Sequence, residues 1–368
     1  MMIKNLIHSL YDNKASFPHK ASYYHQAIDE IESHSISPQI YHLLKERGCL
    51  EKTPLFFQVR LKQKYDEVLF QNILIKSETD KILNRLGKGK IESIPLKGVY
   101  FSQEYFGHLA ARGTSDIDIL IRKESIEETV QLVKDLGFEQ EEEWIPEHFH
   151  CSYSKQIPGS PVPLVVEIHW GIVREKTSYL KIEDFWENAK AVKGKSYIKR
   201  LSDEHTFYMI CLHGWRHNLD SPRYYLDIIQ LIFRLNNQID LHRIFQQAKH
   251  DGTLKRLVRT LSIVFEEYPM LENVMKLPVK RSMKKGKEGR LSQYLDFIDF
   301  QFLSYDSFQH SLREVYSWCF PRRKDIYTEL NVDSQRSSYI KSIFFLYKVR
   351  VMKGLKATYL LVRGAIQP

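Results

Sequence analysis

The segment TSDIDILIR, residues 114–122, constrains the fold more than any other part of the chain. Its aliphatic, β-branched residues predict a strand, in which aspartate is disfavoured and costly to bury without a partner. Asp116 and Asp118 are two positions apart, so a strand places both carboxylates on one face. Two adjacent anions raise each other's pKa unless a cation lies between them. The segment therefore predicts a core strand that carries a cation-binding acidic pair.

The sequence around this strand predicts a small α/β unit between helical flanks. IESIPLKG and VYFSQEYFG, which precede it, are a predicted short strand and short helix. KESIEETVQLVKDLGF, which follows, is a predicted helix with Ser125 as its N-cap and Glu128 completing a capping box. HFHCSYSKQIPGSPVPLVVEIHWGIV is a predicted hairpin with its turn at Pro158, Gly159 and Ser160.

Apolar residues at helical spacing dominate before residue 90 and after about residue 203. We therefore expect an α+β fold, with a small mixed sheet and helices flanked by helical subdomains. The expected parts are an N-terminal helical subdomain (1–90), an α/β catalytic domain (91–200), a second helical subdomain (201–275) and a basic, mostly helical C-terminal region (276–368).

The acidic pair predicts a divalent metal, because hard carboxylate oxygens select Mg²⁺ or Mn²⁺. Glu167, in the second strand of the hairpin, offers a third carboxylate in an aliphatic setting. Three carboxylates on neighbouring strands suit a two-metal site for phosphoryl or nucleotidyl transfer. The alternative is that the aspartates are a strand-end feature, solvated or paired with Arg112 and Arg122.

A phosphate-binding element is predicted just before the acidic strand. Lys97 and Gly98 lie where a strand leads into a helix, whose first N–H groups are free to bind an anion. Arg112, Gly113 and Ser115 come directly before Asp116 and are the other candidate ligands of the same triphosphate.

In this order, the motifs resemble the nucleotidyltransferase superfamily of the DNA polymerase β type. Within it, they are similar to the bacterial family of uncharacterised nucleotidyltransferases, over roughly residues 60–250. The matching positions are Leu96, Lys97 and Gly98; Arg112 with SDIDIL; EIHW from Glu167 to Trp170; LHGWRH from Leu212 to His217; and LDI from Leu226 to Ile228. The superfamily usually has Gly-Ser or Gly-Gly in the first motif, so we expect Lys97 to replace the serine hydroxyl.

The resemblance implies an Mg²⁺-dependent transfer of a nucleoside monophosphate from an NTP, such as ATP, to an acceptor hydroxyl or phosphate. Asp116 and Asp118 would bridge the metals, and Glu167 would complete one metal's shell and help to deprotonate the acceptor. Members of this family are associated with ribosomally made, modified peptides such as lasso peptides. A peptide acceptor, already phosphorylated in one version, is therefore the most specific expectation.

Three alternatives remain open. The same fold could transfer a sugar or sugar-phosphate onto a phosphorylated peptide, or modify RNA or tRNA docked on the basic C-terminal third. It could also be a non-catalytic module that holds a nucleotide or a peptide. The missing Gly-Ser favours this last reading slightly, and the three intact acids argue against it more strongly.

Histidines near the motifs are candidate neighbours of the metals or the substrate. His169 has the strand parity of Glu167 and is expected on the same face. His213 and His217 are four apart on a predicted helix, but no third ligand at suitable spacing supports zinc. A structural role or a substrate contact is expected for them instead.

Asp227 is expected to cap a helix or to pair with Arg223 or Arg234, although its recurrence in the family motif implies a role near the site. His148 and His150 alternate along a predicted strand and are expected to face solvent.

The net charge of +9 is concentrated in the C-terminal third. Residues 276–290 contain seven Lys/Arg and one Glu, and residues 334–368 contain seven Lys/Arg and no acid. These segments are either solvated faces or docking surfaces for anionic partners such as RNA. The absence of a signal-like segment, of a long apolar run and of paired cysteines predicts a cytoplasmic protein without a membrane span. The sequence predicts no oligomeric state.

Overall fold

The computed structural model describes residues 3–12, 14–141, 148–157, 160, 162–236, 238–282, 290–330 and 338–350. Its helices are α1 (Lys4–Tyr11), α2 (Ala21–Ser33), α3 (Ser37–Glu46), α4 (Leu55–Lys88), α5 (Gly98–Tyr105), α6 (Ile126–Asp135), α7 (Ile182–Glu187), α8 (Asp203–Arg216), α9 (Pro222–Arg234), α10 (Leu241–His250), α11 (Leu254–Glu267), α12 (Arg290–Ile298), α13 (Phe308–Cys319), α14 (Arg323–Leu330) and α15 (339–350). Its strands are β1 (Ser93–Pro95), β2 (Asp116–Ile121), β3 (Glu139–Gln140), β4 (His150–Lys155), β5 (Leu164–His169), β6 (Lys190–Val192) and β7 (Lys195–Arg200).

The strands form one mixed sheet in the order β3-β4-β5-β2-β1-β7-β6. β2 runs parallel to β5, and β1 runs parallel to β7. The other neighbouring pairs are antiparallel, and β4 with β5 is the predicted hairpin. The α+β class with a mixed sheet is therefore confirmed, and the acidic strand β2 lies inside the sheet, between β5 and β1.

The sheet separates two hydrophobic cores. Ile117, Ile119 and Ile121 of β2 belong to the core that contains residues of α4 and α6. Leu120 belongs to the core that contains residues of α8, α9 and α11. Because strand side chains alternate between faces, the aspartates of β2 share the face of Leu120. That face is the one covered by helix α8.

Helix α4 joins the N-terminal helices to the sheet. Pro54 precedes it, Gly89 follows it, and its 34 residues reach both cores. Phe57 and Leu61 near its start pack in the core of α2 and α3, whereas Ile75 and Leu83 pack beneath the sheet. The N-terminal helices are thus attached to the acidic strand's sheet through one continuous helix.

Helices α8 and α9 begin at side-chain caps. The Ser202 hydroxyl accepts from the backbone N–H of His205, and the Ser221 hydroxyl accepts from that of Arg223. Such caps satisfy N–H groups that have no partner within the helix. Pro222 at the first position of α9 has no N–H to satisfy. These helices carry LHGWRH and LDI over the sheet.

Ser125 occupies the N-cap position of α6, as predicted, but the predicted capping box does not form. Ser125 ends a 3₁₀ turn, and its side chain makes no cap hydrogen bond. The first turn of α6 carries Glu127 and Glu128 instead, whose negative charges favour a helix N-terminus. Gly137 follows α6 with φ of 86°, the left-handed conformation expected just after a helix.

Within the part of the chain that the structure describes, no helix combines the length and the apolar character needed to cross a bilayer. All four cysteines, Cys49, Cys151, Cys211 and Cys319, are free thiols.

Candidate active site

The register of three neighbouring strands assembles the candidate site. Asp118 of β2 lies opposite Glu167 of β5 in the parallel pair. His169 of β5 lies opposite His150 of β4 in the antiparallel pair. Residues paired in this way point to the same face of a sheet. The strands therefore gather two carboxylates and two imidazoles beneath α8.

The His169 imidazole links the two carboxylates. Its Nε2 lies 3.1 Å from Asp118 Oδ1 and 3.1 Å from Glu167 Oε2. The Lys97 ammonium reaches the same oxygen of Asp118 at 3.0 Å, and His150 Nε2 lies 3.9 Å from Glu167 Oε1. Glu167 thus points toward the acidic strand.

The charges of this cluster stabilise one another. Burial would raise the pKa of Asp118, but the Lys97 charge and the His169 hydrogen bond outweigh it and hold that pKa well below its ordinary value. Burial would also raise the pKa of Glu167, but the hydrogen bond from His169 outweighs it and lowers that pKa. For His169, burial disfavours the imidazolium, but the hydrogen bonds to both carboxylates raise its pKa. The carboxylates are therefore ionised at neutral pH.

Asp116 lies at the start of β2 in a different environment. The Thr114 hydroxyl donates to its Oδ1 at 3.3 Å. Burial and then the negative charge of Asp118 raise the pKa of Asp116. A cation placed between the two aspartates would lower that pKa again.

The residues of the cluster fit a divalent cation. Asp118 Oδ2 is buried and has no hydrogen-bond partner among the described residues, so this oxygen is free to act as a ligand. Ligand atoms of His150, Glu167 and His169 all lie within 4.8 Å of one another. Burial lowers the pKa of His150 to about 3, which keeps its imidazole neutral. Mixed carboxylate and imidazole ligands suit Mn²⁺ and other transition metals as well as Mg²⁺.

The turn at Lys97 and Gly98 packs closely against the acidic strand. The backbone N–H of Leu96 donates to the carbonyl of Asp118 at 3.0 Å. Gly98 has φ of 69°, and a Cβ there would lie 3.4 Å from the carbonyl oxygen of Asp116. A side chain at this position would strain the turn, which explains the glycine.

Arg112 and Asp227 form a buried ion pair, and neither of the predicted partners Arg223 and Arg234 takes that place. Arg112 Nε lies 2.8 Å from Asp227 Oδ1, and Arg112 Nη2 lies 2.8 Å from Oδ2. The two residues are only 4% and 1% exposed. Burial disfavours the charge on Arg112, but Asp227 outweighs it and raises the pKa of Arg112. The guanidinium is thus directed at Asp227.

The remaining predicted phosphate ligands border this pair. The carbonyl of Gly113 accepts a hydrogen bond from the Arg223 guanidinium, and burial lowers the pKa of Arg223 to about 10. Ser115 is exposed beside Asp116. Gly113 and Ser115 therefore lie in the loop that leads into β2.

His213, near the end of α8, contacts the cluster directly, whereas His217, the residue after α8, forms no hydrogen bond to it among the described residues. His213 Nε2 accepts from the Lys97 ammonium at 3.3 Å. Burial and the Lys97 charge hold its pKa well below the ordinary value, so the ring is neutral. His217 stacks on Tyr224, with ring centroids 4.9 Å apart.

The expectation that His148 and His150 face solvent is wrong. Both are half-buried, and their rings lie 4.3 Å apart. His150 faces Glu167 because the antiparallel register pairs it with His169. The alternation of HFHC placed both histidines on one face of the strand, but only the sheet order decides that this face meets the acidic strand.

Arg216 is a site residue that the sequence did not single out. It is exposed at the end of α8, its guanidinium carbon lies 4.8 Å from the centre of the Phe149 ring, and no described residue forms an ion pair with it. The feature of the sequence that could have identified it is its position within the motif LHGWRH.

Two cavities meet at the cluster. The carboxylate cleft, of about 710 Å³, is lined by Ser115, Asp116, His150, Glu167 and Arg216 among others. The arginine cavity, of about 180 Å³, is lined by Lys97, His169, His213, Arg216, Arg256 and Tyr305 among others. Arg216 lines both, so the carboxylates and His169 lie where a ligand in one cavity could approach a ligand in the other.

Comparison with known proteins gives one family. Residues 23–268 match the family model described as "Uncharacterised nucleotidyltransferase", a match that begins closer to the N-terminus than the motifs alone indicated. A crystal structure of an antigenic nucleotidyltransferase-like protein from Paracoccidioides brasiliensis is similar at 18% identity and a TM-score of 0.36, covering 56% of this chain and 94% of that one. A search of curated proteins found no match. Because the family model spans more than half of the chain, the protein belongs to the family of uncharacterised nucleotidyltransferases.

Proposed function

We propose that the protein is a metal-dependent nucleotidyltransferase that transfers a nucleoside monophosphate from an NTP to an acceptor. Membership of the family supports the reaction class. The observation that carries the proposal is the convergence of Asp118 and Glu167 on His169 Nε2, each at 3.1 Å. A buried and a half-buried carboxylate that converge beside a cavity favour a catalytic site over a solvated strand end.

Asp116, Asp118 and Glu167 are the proposed holders of Mg²⁺ or Mn²⁺, with His150 and His169 beside them. When bound, the cation would stabilise the negative charge that develops on the transferring phosphoryl group. The unpartnered Oδ2 of Asp118 supports this assignment.

The chain's own groups would position the substrates. Lys97, in the turn before α5, carries a positive charge beside the reacting centre and would bind a phosphate oxygen of the NTP. Gly98 and the first N–H groups of α5 would approach the same phosphates, and Ser115 and Gly113 would border them. Arg112 would act through Asp227, by holding α9 and the loop before β2 in place.

Glu167 would receive the proton of an acceptor hydroxyl. Its carboxylate lines the carboxylate cleft and is ionised, because the hydrogen bond from His169 lowers its pKa. His169 would hold Glu167 and Asp118 in a fixed orientation, as a residue bonded to both must.

For the acceptor, we keep the ribosomally made peptide that the family resemblance implies, with cytoplasmic action. Transfer of a sugar or sugar-phosphate, modification of RNA, and nucleotide binding without chemistry are the outcomes against which this proposal is tested. The first two would leave a different product mass on a peptide or an RNA, and the third would leave no product.

The test is incubation of the protein with each NTP, Mg²⁺ or Mn²⁺, and a candidate peptide, phosphorylated or not. Pyrophosphate release and the intact peptide mass are measured. We expect a nucleotide-sized increment that Asp118→Asn reduces by about a hundredfold or more, because a preorganised charge is lost. Glu139→Gln, an exposed acid on β3, is the matched control and should retain the activity.

A hexose-sized increment would replace nucleotidyl transfer by sugar transfer, and an increment only on RNA would replace the peptide. If Asp118→Asn leaves pyrophosphate release unchanged, the proposed site is wrong. If the wild type shows no metal-dependent stabilisation by any NTP in thermal unfolding, nucleotide binding itself is contradicted.

A further inference from the structure

Arg256 on α11 is a fully buried cation that lacks a counter-ion in the described part of the chain. Its exposed fraction is 0%. One of its N–H groups, on Nη2, donates to the carbonyl of Thr177, but Nε is buried without a hydrogen-bond partner. Among the described residues no carboxylate forms an ion pair with it, in contrast to Arg259 one turn later, which pairs with Asp296 and Asp299.

Aromatic rings hold the plane of the Arg256 guanidinium without satisfying its edge. Its central carbon lies 4.6 Å from the centre of the Trp215 ring and 4.5 Å from that of the Tyr305 ring. Ring faces attract a cation, but they leave the in-plane N–H groups free. Burial lowers the pKa of Arg256 and outweighs the charges of Glu314 and Asp306, which act in the opposite direction without forming an ion pair with it.

The arginine cavity has an excess of positive charge. Lys97, Arg174 and Arg216 line it together with Arg256, and Glu314 is the one acid among the lining residues. The described residues include no ion pair between Glu314 and Arg256, so one carboxylate stands against four cations in the lining. A cavity of this sign favours an anionic ligand.

The same cavity leads to the proposed reacting groups. Lys97, His169 and His213 also line it, and the first two contact Asp118 directly. Phe149, Leu212 and Phe300 contribute apolar wall. A volume of about 180 Å³ admits a side chain or a small molecule and excludes a folded chain.

We propose that the arginine cavity binds the acceptor of the transfer reaction and that Arg256 binds an anionic group of that acceptor, a carboxylate or a phosphate. This inference rests on the proposed function. The acceptor's nucleophilic oxygen then lies toward Asp118 and Glu167. In the transfer, that oxygen bonds to the α-phosphorus of the NTP, the bond from this phosphorus to the leaving pyrophosphate breaks, and the proton of a hydroxyl acceptor passes to Glu167.

Calorimetric titration with inorganic phosphate and with phenylacetate tests the inference and separates the two anion types. We expect wild type to bind at least one of them saturably and Arg256→Met to weaken that binding tenfold or more. Lys255→Met removes an exposed positive charge next to Arg256 and should bind like wild type. Arg256→Lys keeps the charge but loses the Nε donor, so it should bind more weakly than wild type even if Arg256→Met fails to fold.

If a folded Arg256→Lys or Arg256→Met variant binds the anion as tightly as wild type does, the inference is overturned. It is also overturned if wild type binds neither anion. Stabilisation of Arg256→Met by Mn²⁺ and ATP tests the nucleotide site separately. If that stabilisation is absent in wild type too, the proposed function fails whatever the anion titrations give.

Discussion

At the residue scale, the arginines around the candidate site differ in what they are paired with. Arg112 is committed to Asp227 by two hydrogen bonds of 2.8 Å. The backbone carbonyl of Arg112 also accepts from Asn72 of α4. Arg216 and Arg256, by contrast, face cavities without an ion pair among the described residues. The paired arginine therefore fits a structural role and the unpaired ones fit ligand binding.

Arg112→Met should destabilise the fold by about 3–5 kcal/mol, because it leaves the buried Asp227 carboxylate without its partner. The double variant Arg112→Met with Asp227→Leu should recover much of this loss, since neither charge then remains buried. Urea unfolding of the single and double variants measures both. Lys64→Met, which breaks the exposed pair with Glu67, is the control and should change little. A single variant as stable as wild type would contradict the structural role.

At the element scale, strand β2 and the turn before α5 depend on each other. β2 places its isoleucines on the face that packs against α4 and α6, and its aspartates on the face that α8 covers. The turn approaches this strand so closely that Gly98, with φ of 69°, has the carbonyl of Asp116 as a neighbour. The position of Lys97 relative to Asp118 therefore depends on Gly98, and the pattern of acidic residues alone gives no sign of this dependence.

Gly98→Ala should destabilise the protein by about 1–2 kcal/mol, because alanine in the left-handed conformation is strained. It should also weaken NTP binding, since relief of the strain moves Lys97. Gly87→Ala is the matched control. Gly87 lies in α4, and a Cβ added there would have no atom within 4 Å. This substitution should stabilise the protein by up to about 1 kcal/mol. Thermal unfolding with and without NTP and Mn²⁺ measures both effects. Equal behaviour of the two variants would show that the turn tolerates a side chain.

At the scale of the whole molecule, segments that follow the family match complete the candidate site. The match ends at residue 268, whereas Phe300, Tyr305 and Glu314 line the arginine cavity. Arg259 of α11 connects these segments to the rest through Asp296 at the end of α12 and Asp299 in the turn after it. We keep the division into four parts, 1–90, 91–200, 201–275 and 276–368, as a proposal. In this division the last part contributes one wall of the arginine cavity, and the second and third parts contribute the others.

Arg259→Met should loosen the C-terminal segments, because two carboxylates lose a buried partner. Limited proteolysis should then cut within residues 276–350 faster than in wild type, while the segment 23–268 stays resistant. Arg243→Met, which removes an exposed arginine, should leave the cleavage pattern unchanged. Identical cleavage of Arg259→Met and wild type would contradict the attachment through Arg259.

The sequence by itself determined the features that depend on local geometry. Alternation along each strand put Asp116 with Asp118 on one face of β2 and Glu167 with His169 on one face of β5, and helical spacing predicted the flanks. These patterns need no distant partner, because each follows from the backbone of one element. They sufficed for the fold class and for the acidic residues of the candidate site.

Only the tertiary structure decided which elements meet. The strand order brought His150 to Glu167, although its own strand pattern suggested solvent. Packing of α9 on the same side of the sheet as α8 joined Arg112 to Asp227, 115 residues away. Arg256 became a candidate ligand group only because helices far apart in sequence buried it without an anion. Register and burial result from the packing of many side chains at once, so no short segment of the sequence contains them.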